Sequence, residues 1–433
     1  MGASGADLAS RSSPHRQDIR RIYLARSARG LGSGYFAVVL GIELHRQGLS
    51  GISAGLVVAA LLAGSAFALV GVKRFSDGMG RRRFYVGGFF VQAAVALVLV
   101  FSAWWWVLLP VGLTGVLSTE VIDSGPFGAL EQVMLATAVT EDRRLQSFSR
   151  YGAVGTASGA IGALGAGLIQ LARLGAITRA SYLPLVVFAL FASVTAWGLS
   201  AEVENSPADT APERPLTKSA SQPSSATRQI VNRLAGLFAL DSFGAGFTVQ
   251  AFVAYWLAAR FNASALAIGT LFLGIGVLQT ISMMVAGRLG KRFGLLQTMV
   301  FTHLPSNLFL AAIAFAPNLV VASVLLCLRA SLSQMDIPTR NAYVMALVPP
   351  QDRTHAASTT SIARLVARPA GPILGGAAQT LALGSPFLIS GTLKAIYDLA
   401  LWRWFRKVPL TGETEQQVDP SAQAKGPVPV RAT

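Results

Sequence analysis

Residues 73–83 read KRFSDGMGRRR and separate two apolar runs, 51–72 and 84–103. Each run is about twenty residues long, the length that a helix needs to cross the hydrocarbon core of a bilayer. The same alternation fills the chain, of whose residues 52% are hydrophobic and only 13% charged. The predicted runs are 23–44, 51–72, 84–103, 104–125, 147–171, 180–200, 231–257, 264–286, 295–316, 318–343, 357–381 and 385–405. They predict an all-α polytopic membrane protein with 12 transmembrane helices, since membrane strands would show shorter segments of alternating polarity.

The basic residues of the chain fall mainly in every second break between the runs. The formal net charge is +16, and arginine and lysine cluster near the N-terminus, at 73–83 and at 288–292. The intervening breaks hold few basic residues, namely Arg46, Arg173, Arg179 and Arg260. This asymmetry follows the positive-inside rule, so we expect both termini in the cytoplasm and the protein in the cell (inner or plasma) membrane. Because topology explains the basic residues, the sequence predicts no nucleic-acid partner.

Two segments lack the composition of a membrane helix. Residues 201–229 are rich in Pro, Ser, Ala and Thr and cannot bury a core, and the C-terminal tail has the same character. The predicted organisation is a cytoplasmic N-terminal arm at 1–22, a six-helix bundle at 23–200, a flexible cytoplasmic linker at 201–229, a second six-helix bundle at 230–406 and a disordered cytoplasmic tail at 407–433. No small-residue cleavage site follows the first run, so we expect it to be a retained helix.

An internal repeat relates the two bundles at three places. RGLGSGYF (29–36) matches DSFGAGFT (241–248), KRFSDGMGRRR (73–83) matches GRLGKRFGLLQ (287–297), and EQVMLATAVTEDRR (131–144) matches NAYVMALVPPQDRT (341–354). The nearly constant offset indicates a duplicated six-helix bundle. The repeat also superposes Arg29 on Asp241, so a base and an acid occupy equivalent points of the first and seventh helices. We expect these two side chains to face each other near the membrane midplane.

The 73–83 segment resembles the loop between the second and third helices of the major facilitator superfamily of secondary transporters. That loop usually shows Gly-x-x-x-Asp-x-x-Gly-Arg-Arg/Lys, and the chain matches it at Asp77, Gly80, Arg81 and Arg82, with Lys73 in place of the first glycine. The resemblance covers residues 23–406. It implies two pseudo-symmetric six-helix bundles that rock around a central site, with Asp77 and the arginines locking the cytoplasmic gate. The alternative is that the arginines only anchor the topology of the loop.

Ionisable residues inside the apolar runs are the candidate functional residues. They would be costly against lipid, so we expect a water-filled substrate and coupling cavity lined by Arg29, Glu120, Asp123, Asp241, Arg364 and Arg368. Asp336 and Arg340 lie one helical turn apart near the cytoplasmic end of the tenth run, where they can pair. We assign them to the cytoplasmic gate together with Asp77, Gly80, Arg81 and Arg82. An interfacial ion pair without a role in transport is the alternative.

No motif of an enzyme or of an ATP-driven pump occurs in the sequence. There is no Walker loop, no dinucleotide fingerprint after a strand and no zincin spacing, so we expect no enzymatic activity, no cofactor and no metal site. An ion gradient, most simply of protons, is then the expected driving force. Gly371-Pro372-x-x-Gly375-Gly376 resembles a glycine-proline motif associated with antiporters. With the general resemblance to drug exporters, this motif favours proton-coupled efflux of a small organic compound or toxicant.

Two alternatives stay open at the level of the sequence. The deep arginines Arg29, Arg364 and Arg368 suit carboxylates and phosphates, which favours uptake or exchange of an anionic metabolite. A transport-inactive membrane receptor or scaffold is the alternative of another class. The predicted partners are a small-molecule substrate and the lipid bilayer, and we expect the chain to act as a monomer.

Overall fold

The computed structural model describes residues 5–121, 125–139, 141–172, 179–200 and 224–408, and the described residues are helices joined by turns. The α-helices of the first half are α1 (Gly5–Arg46), α2 (Gly51–Met79), α3 (Arg81–Phe101), α4 (Trp105–Leu113), α5 (Gly125–Ala138), α6 (Glu141–Ala172) and α7 (Leu183–Trp197). Those of the second half are α8 (Ser225–Gly246), α9 (Gln250–Phe261), α10 (Ala265–Phe293), α11 (Leu295–Ala312), α12 (Leu319–Ser333), α13 (Asp336–Leu347), α14 (Arg353–Ala367), α15 (Ala370–Ala378) and α16 (Ser385–Phe405).

The ends of the predicted bundles differ from the observed helices. The predicted N-terminal arm is helical from Gly5 onward and is continuous with the first membrane helix in α1. The predicted linker lies outside the described residues up to position 223, and its last residues, from Ser225, are the first turn of α8. That turn is held by Ser224, whose hydroxyl accepts a hydrogen bond from the Thr227 backbone N–H at 3.1 Å. The predicted tail lies outside the described residues from position 409.

Four of the predicted spans are not single helices. The predicted fourth span, 104–125, contains α4 and then a non-helical segment at 114–121. Gly115 has a φ of 70°, and the Thr114 hydroxyl donates to the Val111 carbonyl oxygen at 2.6 Å, so the helix ends there. The seventh, tenth and eleventh spans are likewise the pairs α8 with α9, α12 with α13, and α14 with α15. Hydropathy misses these breaks because the apolar composition continues through them.

The outward surface of the helices is apolar. Phe67, Phe101 and Val194 each expose at least two thirds of their surface, and many other large apolar side chains are also exposed. Within the described residues, eight helical segments are long and apolar enough to cross a membrane. Contiguous exposed apolar surface of this extent is unfavourable in water and suits lipid. The helices therefore form an integral membrane protein.

The predicted duplication is visible as the same tight turn in both halves. Gly80 joins α2 to α3 with a φ of 84°, and Gly294 joins α10 to α11 with a φ of 90°. Both lie in the region that favours glycine, which explains why the second glycine of the 73–83 segment recurs in its repeat.

Glycine-to-glycine crossings also repeat. Gly34 of α1 packs on Gly159 of α6, and Gly246 of α8 packs on Gly371 of α15, with no room for a side chain at either crossing. These contacts explain glycines of the fifth and eleventh predicted spans as positions of close helix approach.

The two halves pack directly against each other at the end opposite the 73–83 segment. Gly51, at the start of α2, lies against Gly376, at the end of α15, and Gly41 of α1 lies against the backbone of α9. The Tyr255 hydroxyl donates to the Leu49 carbonyl oxygen at 2.9 Å between the halves. This end of the interface is therefore closed, and the ionisable residues lie deeper along the helices.

Candidate functional site

A cavity of about 210 Å³ lies between the two halves. The first half contributes α6 and the 114–121 segment, and the second half contributes residues from α8 to α16. The charged residues that line it are Glu120, Asp241, Arg329, Asp336, Arg340, Arg364, Arg368 and Lys394, and His303 borders it as well. With His303 neutral, five basic side chains face three carboxylates, so the lining has an excess of positive charge.

Asp241 of α8 is the centre of this charge cluster. Lys394 of α16 contacts its Oδ1 through Nζ, and Arg340 of α13 donates to its Oδ2 at 3.4 Å. His303 of α11 places Nε2 4.0 Å from Oδ1. Three helices therefore present basic groups to one carboxylate, which is only 4% exposed. Paired charges of this kind are what burial within a membrane protein requires.

Asp336 and Arg340 pair as the sequence predicts. Arg340 donates to Asp336 Oδ2 at 2.9 Å along α13, and Asp336 lies in the first turn of that helix, where a carboxylate is favoured. Both residues are buried and line the cavity beside Asp241, and their role in the cytoplasmic gate stays a prediction. The break between α12 and α13, which the hydropathy of the tenth run does not reveal, lies directly before Asp336.

One ion pair joins the two halves across the cavity. Arg368, between α14 and α15, donates to Glu120 Oε2 at 2.5 Å, and the Gln250 backbone N–H donates to Glu120 Oε1 at 3.3 Å. Glu120 lies in the non-helical 114–121 segment rather than in the predicted fourth helix. Two residues predicted from opposite halves therefore meet, and Arg364 lines the same cavity.

Arg29 does not face Asp241, contrary to the prediction from the repeat, and it is not among the residues that line the cavity. It makes two hydrogen bonds to Glu131 of α5 and one, at 3.0 Å, to the Tyr151 hydroxyl of α6. The Tyr85 hydroxyl of α3 donates to the same carboxylate at 2.5 Å. Arg29 does not pair with Asp241 because Glu131, in the same half as Arg29, is its partner.

Four residues of this region were not predicted from the sequence: His303, Arg329, Lys394 and Asp398. Lys394 and Asp398 lie four residues apart inside the last apolar run, and this spacing was an available signal. A single histidine or arginine in an apolar run gives a weaker signal. The Arg329 side chain forms no ion pair with any residue that the structure describes, and its Nε is buried without a hydrogen-bond partner.

The structure describes only part of the predicted gate. Arg81 is buried, and the Arg82 guanidinium stacks over the Trp197 ring of α7 at 5.6 Å. The side chain of Asp77 and the whole of Asp123 lie outside what the structure describes, so their roles stay predictions. Within the described ranges, no cluster of three His, Cys, Asp or Glu side chains is arranged to hold a metal ion.

Comparison with known proteins agrees with this architecture. A family model described as Major Facilitator Superfamily matches residues 22–240 and again 234–432. The uncharacterized membrane protein YJR124C of Saccharomyces cerevisiae is 27% identical over 417 residues, which cover 89% of this chain and 93% of that protein.

Solved transporters share the fold at low identity. The D-xylose-proton symporter is 15% identical with a TM-score of 0.68, over 90% of this chain and 98% of that one. The nucleoside transporter NupG is 13% identical with a TM-score of 0.67, over 90% and 99% of the two chains. The human organic anion transporter MFSD10 is 16% identical with a TM-score of 0.59, also over 90% and 99%. At these identities the likeness concerns the fold alone.

Proposed function

Because the chain belongs to the Major Facilitator Superfamily and is a secondary transporter, we propose that it carries a small organic anion across the membrane, driven by the proton gradient. The charge of the cavity is the observation that supports this substrate class, since five basic side chains face three carboxylates. Guanidinium groups suit carboxylate and phosphate. The cavity therefore favours the anionic alternative over the organic compound or toxicant that the sequence put first. The direction stays a prediction, both as efflux in the first hypothesis and as uptake or exchange in the anionic alternative.

Arg329 is the residue that we expect to bind the substrate anion. It lines the cavity from α12 and forms no ion pair with the described residues. Arg340, Arg368 and Lys394, by contrast, already contact carboxylates of the protein. An incoming carboxylate could therefore form a charge-assisted hydrogen bond with Arg329 without displacing an internal partner.

Asp241 is the carboxylate that we expect to link the proton gradient to the substrate. Its charge holds Lys394 and Arg340, which come from two other helices of the second half. A proton taken up at this site would weaken that hold and leave more positive charge for the substrate anion. In alternating access, the contact of Gly51 with Gly376, which closes the end opposite the 73–83 segment, would separate as that end opens.

The experiment is counterflow of lactate, succinate and inorganic phosphate in proteoliposomes, with Arg329→Gln compared with wild type. Loss of a charged hydrogen bond corresponds to about 1.5–3 kcal/mol, so we expect the half-saturating concentration of the carried anion to rise roughly 10- to 100-fold. The matched control is Arg260→Gln, which removes an exposed arginine at the end of α9 and should leave the affinity unchanged.

Three results would contradict the proposal. Equal affinity of wild type and Arg329→Gln for the carried anion would remove Arg329 from the substrate site. If the wild type moved none of the three anions but exported a cationic dye, the toxicant-efflux hypothesis would replace the anion hypothesis. Absence of counterflow for every probe would favour the receptor or scaffold alternative.

A further inference from the structure

His303 is a buried histidine that has no role in the proposed binding of the substrate at Arg329. It lies on α11, is 3% exposed and borders the cavity. Its Nδ1 is 2.9 Å from Oδ1 of Asp398, a carboxylate of α16 that is completely buried and not among the residues that line the cavity. Its Nε2 is 4.0 Å from Oδ1 of Asp241. The imidazole therefore separates an enclosed carboxylate from the carboxylate at the centre of the cavity cluster.

The contact with Asp398 determines which nitrogen of the neutral ring carries the proton. With Asp398 ionised, its carboxylate only accepts hydrogen bonds, which favours Nδ1 as the donor in the 2.9 Å contact, and Asn307 Nδ2 also lies 3.1 Å from Nδ1. The other oxygen of Asp398 accepts a hydrogen bond from Nδ2 of Asn307 at 2.8 Å, which holds the carboxylate in position. Nε2 then carries the lone pair of the neutral ring and lies 4.0 Å from Oδ1 of Asp241. This arrangement makes Nε2 the basic nitrogen of the ring.

The surroundings of the ring can accommodate a positive charge. Helices packed around α11 bring three carboxylates and three cations to this region: Asp241 from α8, Arg329 from α12, Asp336 and Arg340 from α13, and Lys394 and Asp398 from α16. Tyr397 packs edge-on against the ring at 5.9 Å between centroids. Because Asp398 and Asp241 lie on the two sides of the ring, an added proton on Nε2 would lie between two carboxylates, which favour the charged form of the imidazole.

We propose that His303 binds the coupling proton, as an imidazolium held between Asp398 and Asp241, and thereby promotes binding of the substrate anion. This rests on the proposed function and names the group that receives the proton. Nε2 takes the proton from a hydronium ion that enters the cavity, so an N–H bond forms as one O–H bond of the hydronium breaks and water is left. The new cation shares the Asp241 carboxylate with Lys394 and Arg340, so both can interact more strongly with the anion.

The direction of coupling follows from this linkage. If protonation of His303 favours the anion, the anion by reciprocity favours protonation. Proton and anion would then occupy the cavity together and move in the same direction, and the proton would leave Nε2 when the cavity opens to the opposite side. His303 therefore predicts proton–anion symport, in contrast to the antiport suggested by the glycine-proline motif.

The direct test is nitrogen-15 NMR of histidine-labelled full-length protein in detergent, with the other histidines replaced as His15→Gln, His45→Gln and His355→Gln. We expect a neutral form with its proton on Nδ1 and uptake of a second proton as the pH falls from 9 to 5. In Asp398→Asn both neutral tautomers of His303 should be populated, because an amide can either donate to Nδ1 or accept from it. A single protonation state throughout the titration, or a neutral form with the proton on Nε2, would overturn the proposal.

A transport measurement separates this inference from the proposed function. Proteoliposomes containing a pH dye receive lactate, succinate or phosphate, and internal pH is recorded for wild type, His303→Gln and the exposed-site control His355→Gln. We expect His303→Gln to lose proton movement while retaining measurable counterflow, and His355→Gln to behave as wild type. If His303→Gln moves as many protons per anion as wild type, the inference fails and the proposed function stands. If wild type carries none of the anions, the proposed function fails, whereas the NMR titration still decides whether His303 binds a proton.

Discussion

The two halves of the molecule hold ion pairs of opposite polarity between corresponding helices, in different surroundings. In the first half α1 supplies the base, Arg29, and α5 supplies the acid, Glu131. In the second half α8 supplies the acid, Asp241, and α13 supplies the base, Arg340. The first pair is buried away from the cavity, whereas the second pair lines it together with Lys394. The corresponding helices are paired in both halves, but the acid and the base have exchanged helices.

Hydrogen bonding explains why the Arg29–Glu131 pair cannot take a further partner whereas the Asp241–Arg340 pair can. Glu131 accepts two bonds from Arg29 and one each from Tyr85 and Tyr151. A carboxylate has about four lone-pair sites, so Glu131 is saturated. Asp241 accepts from Lys394 and Arg340 and retains capacity beside His303. The first cluster, Glu131 with Arg29, Tyr85 and Tyr151, therefore stabilises its bundle. The second cluster, around Asp241, can bind a proton or rearrange its ion pairs when a substrate enters.

The largest expected effect on stability is that of Glu131→Gln. It leaves Arg29 buried without a carboxylate, and breaking a buried pair from one side costs about 3–5 kcal/mol. We expect a much lower unfolding temperature in detergent and a reduced yield of folded protein. The double variant Arg29→Gln with Glu131→Gln should recover part of the loss, because no uncompensated charge remains. Unfolding of Glu131→Gln at the wild-type temperature would show that the first cluster does not stabilise its bundle.

Asp241→Asn, in the second half, should affect transport more than stability. Its neighbours border a cavity that water can enter, so we expect the unfolding temperature to fall less than in Glu131→Gln. Accumulation driven by a pH gradient should vanish in proteoliposomes, while downhill exchange of the anion survives. Full accumulation in Asp241→Asn would remove this carboxylate from coupling and direct attention to Glu120 or Asp123.

Two tyrosines give a smaller and more selective comparison. Tyr85→Phe removes one hydrogen bond to the charged Glu131, which corresponds to about 1.5–3 kcal/mol of stability. Tyr343→Phe on α13 is the matched control, because its hydroxyl is buried without a partner among the described residues and its removal should be close to neutral. Thermal unfolding of the two variants side by side measures the difference. Equal losses of stability in the two variants would mean that the Tyr85 hydrogen bond to Glu131 contributes no more than the unpaired hydroxyl of Tyr343.

The sequence predicts the fold well because lipid imposes simple rules. Apolar runs of helix length and the constant repeat offset lead to the duplicated helical bundle, and Gly80 with Gly294 shows the repeat in the backbone. The pairing of Asp336 with Arg340 was also predictable, since both lie on one helix at a spacing that brings side chains together.

Contacts between helices were not predictable in the same way. Arg29 was matched to Asp241 because the repeat superposes them, but a repeat conserves backbone crossings and not the partner that each side chain finds. The breaks after α4 and α12 depend on a few turn residues within apolar composition, and they decide where Glu120, Asp336 and Arg340 lie. His303 gave only a weak sequence signal, because its role depends on Asp398 from a distant helix.

The most direct test of the central claim is accumulation of the carried anion by wild-type protein in proteoliposomes with an imposed pH gradient and the membrane potential clamped at zero. Proton–anion symport at the charge cluster of the second half predicts that the anion accumulates in the more alkaline compartment, above its level in protein-free liposomes. This accumulation should be lost when nigericin collapses the pH gradient. Accumulation in the acidic compartment would indicate antiport, and accumulation that persists after collapse of the gradient would contradict proton coupling.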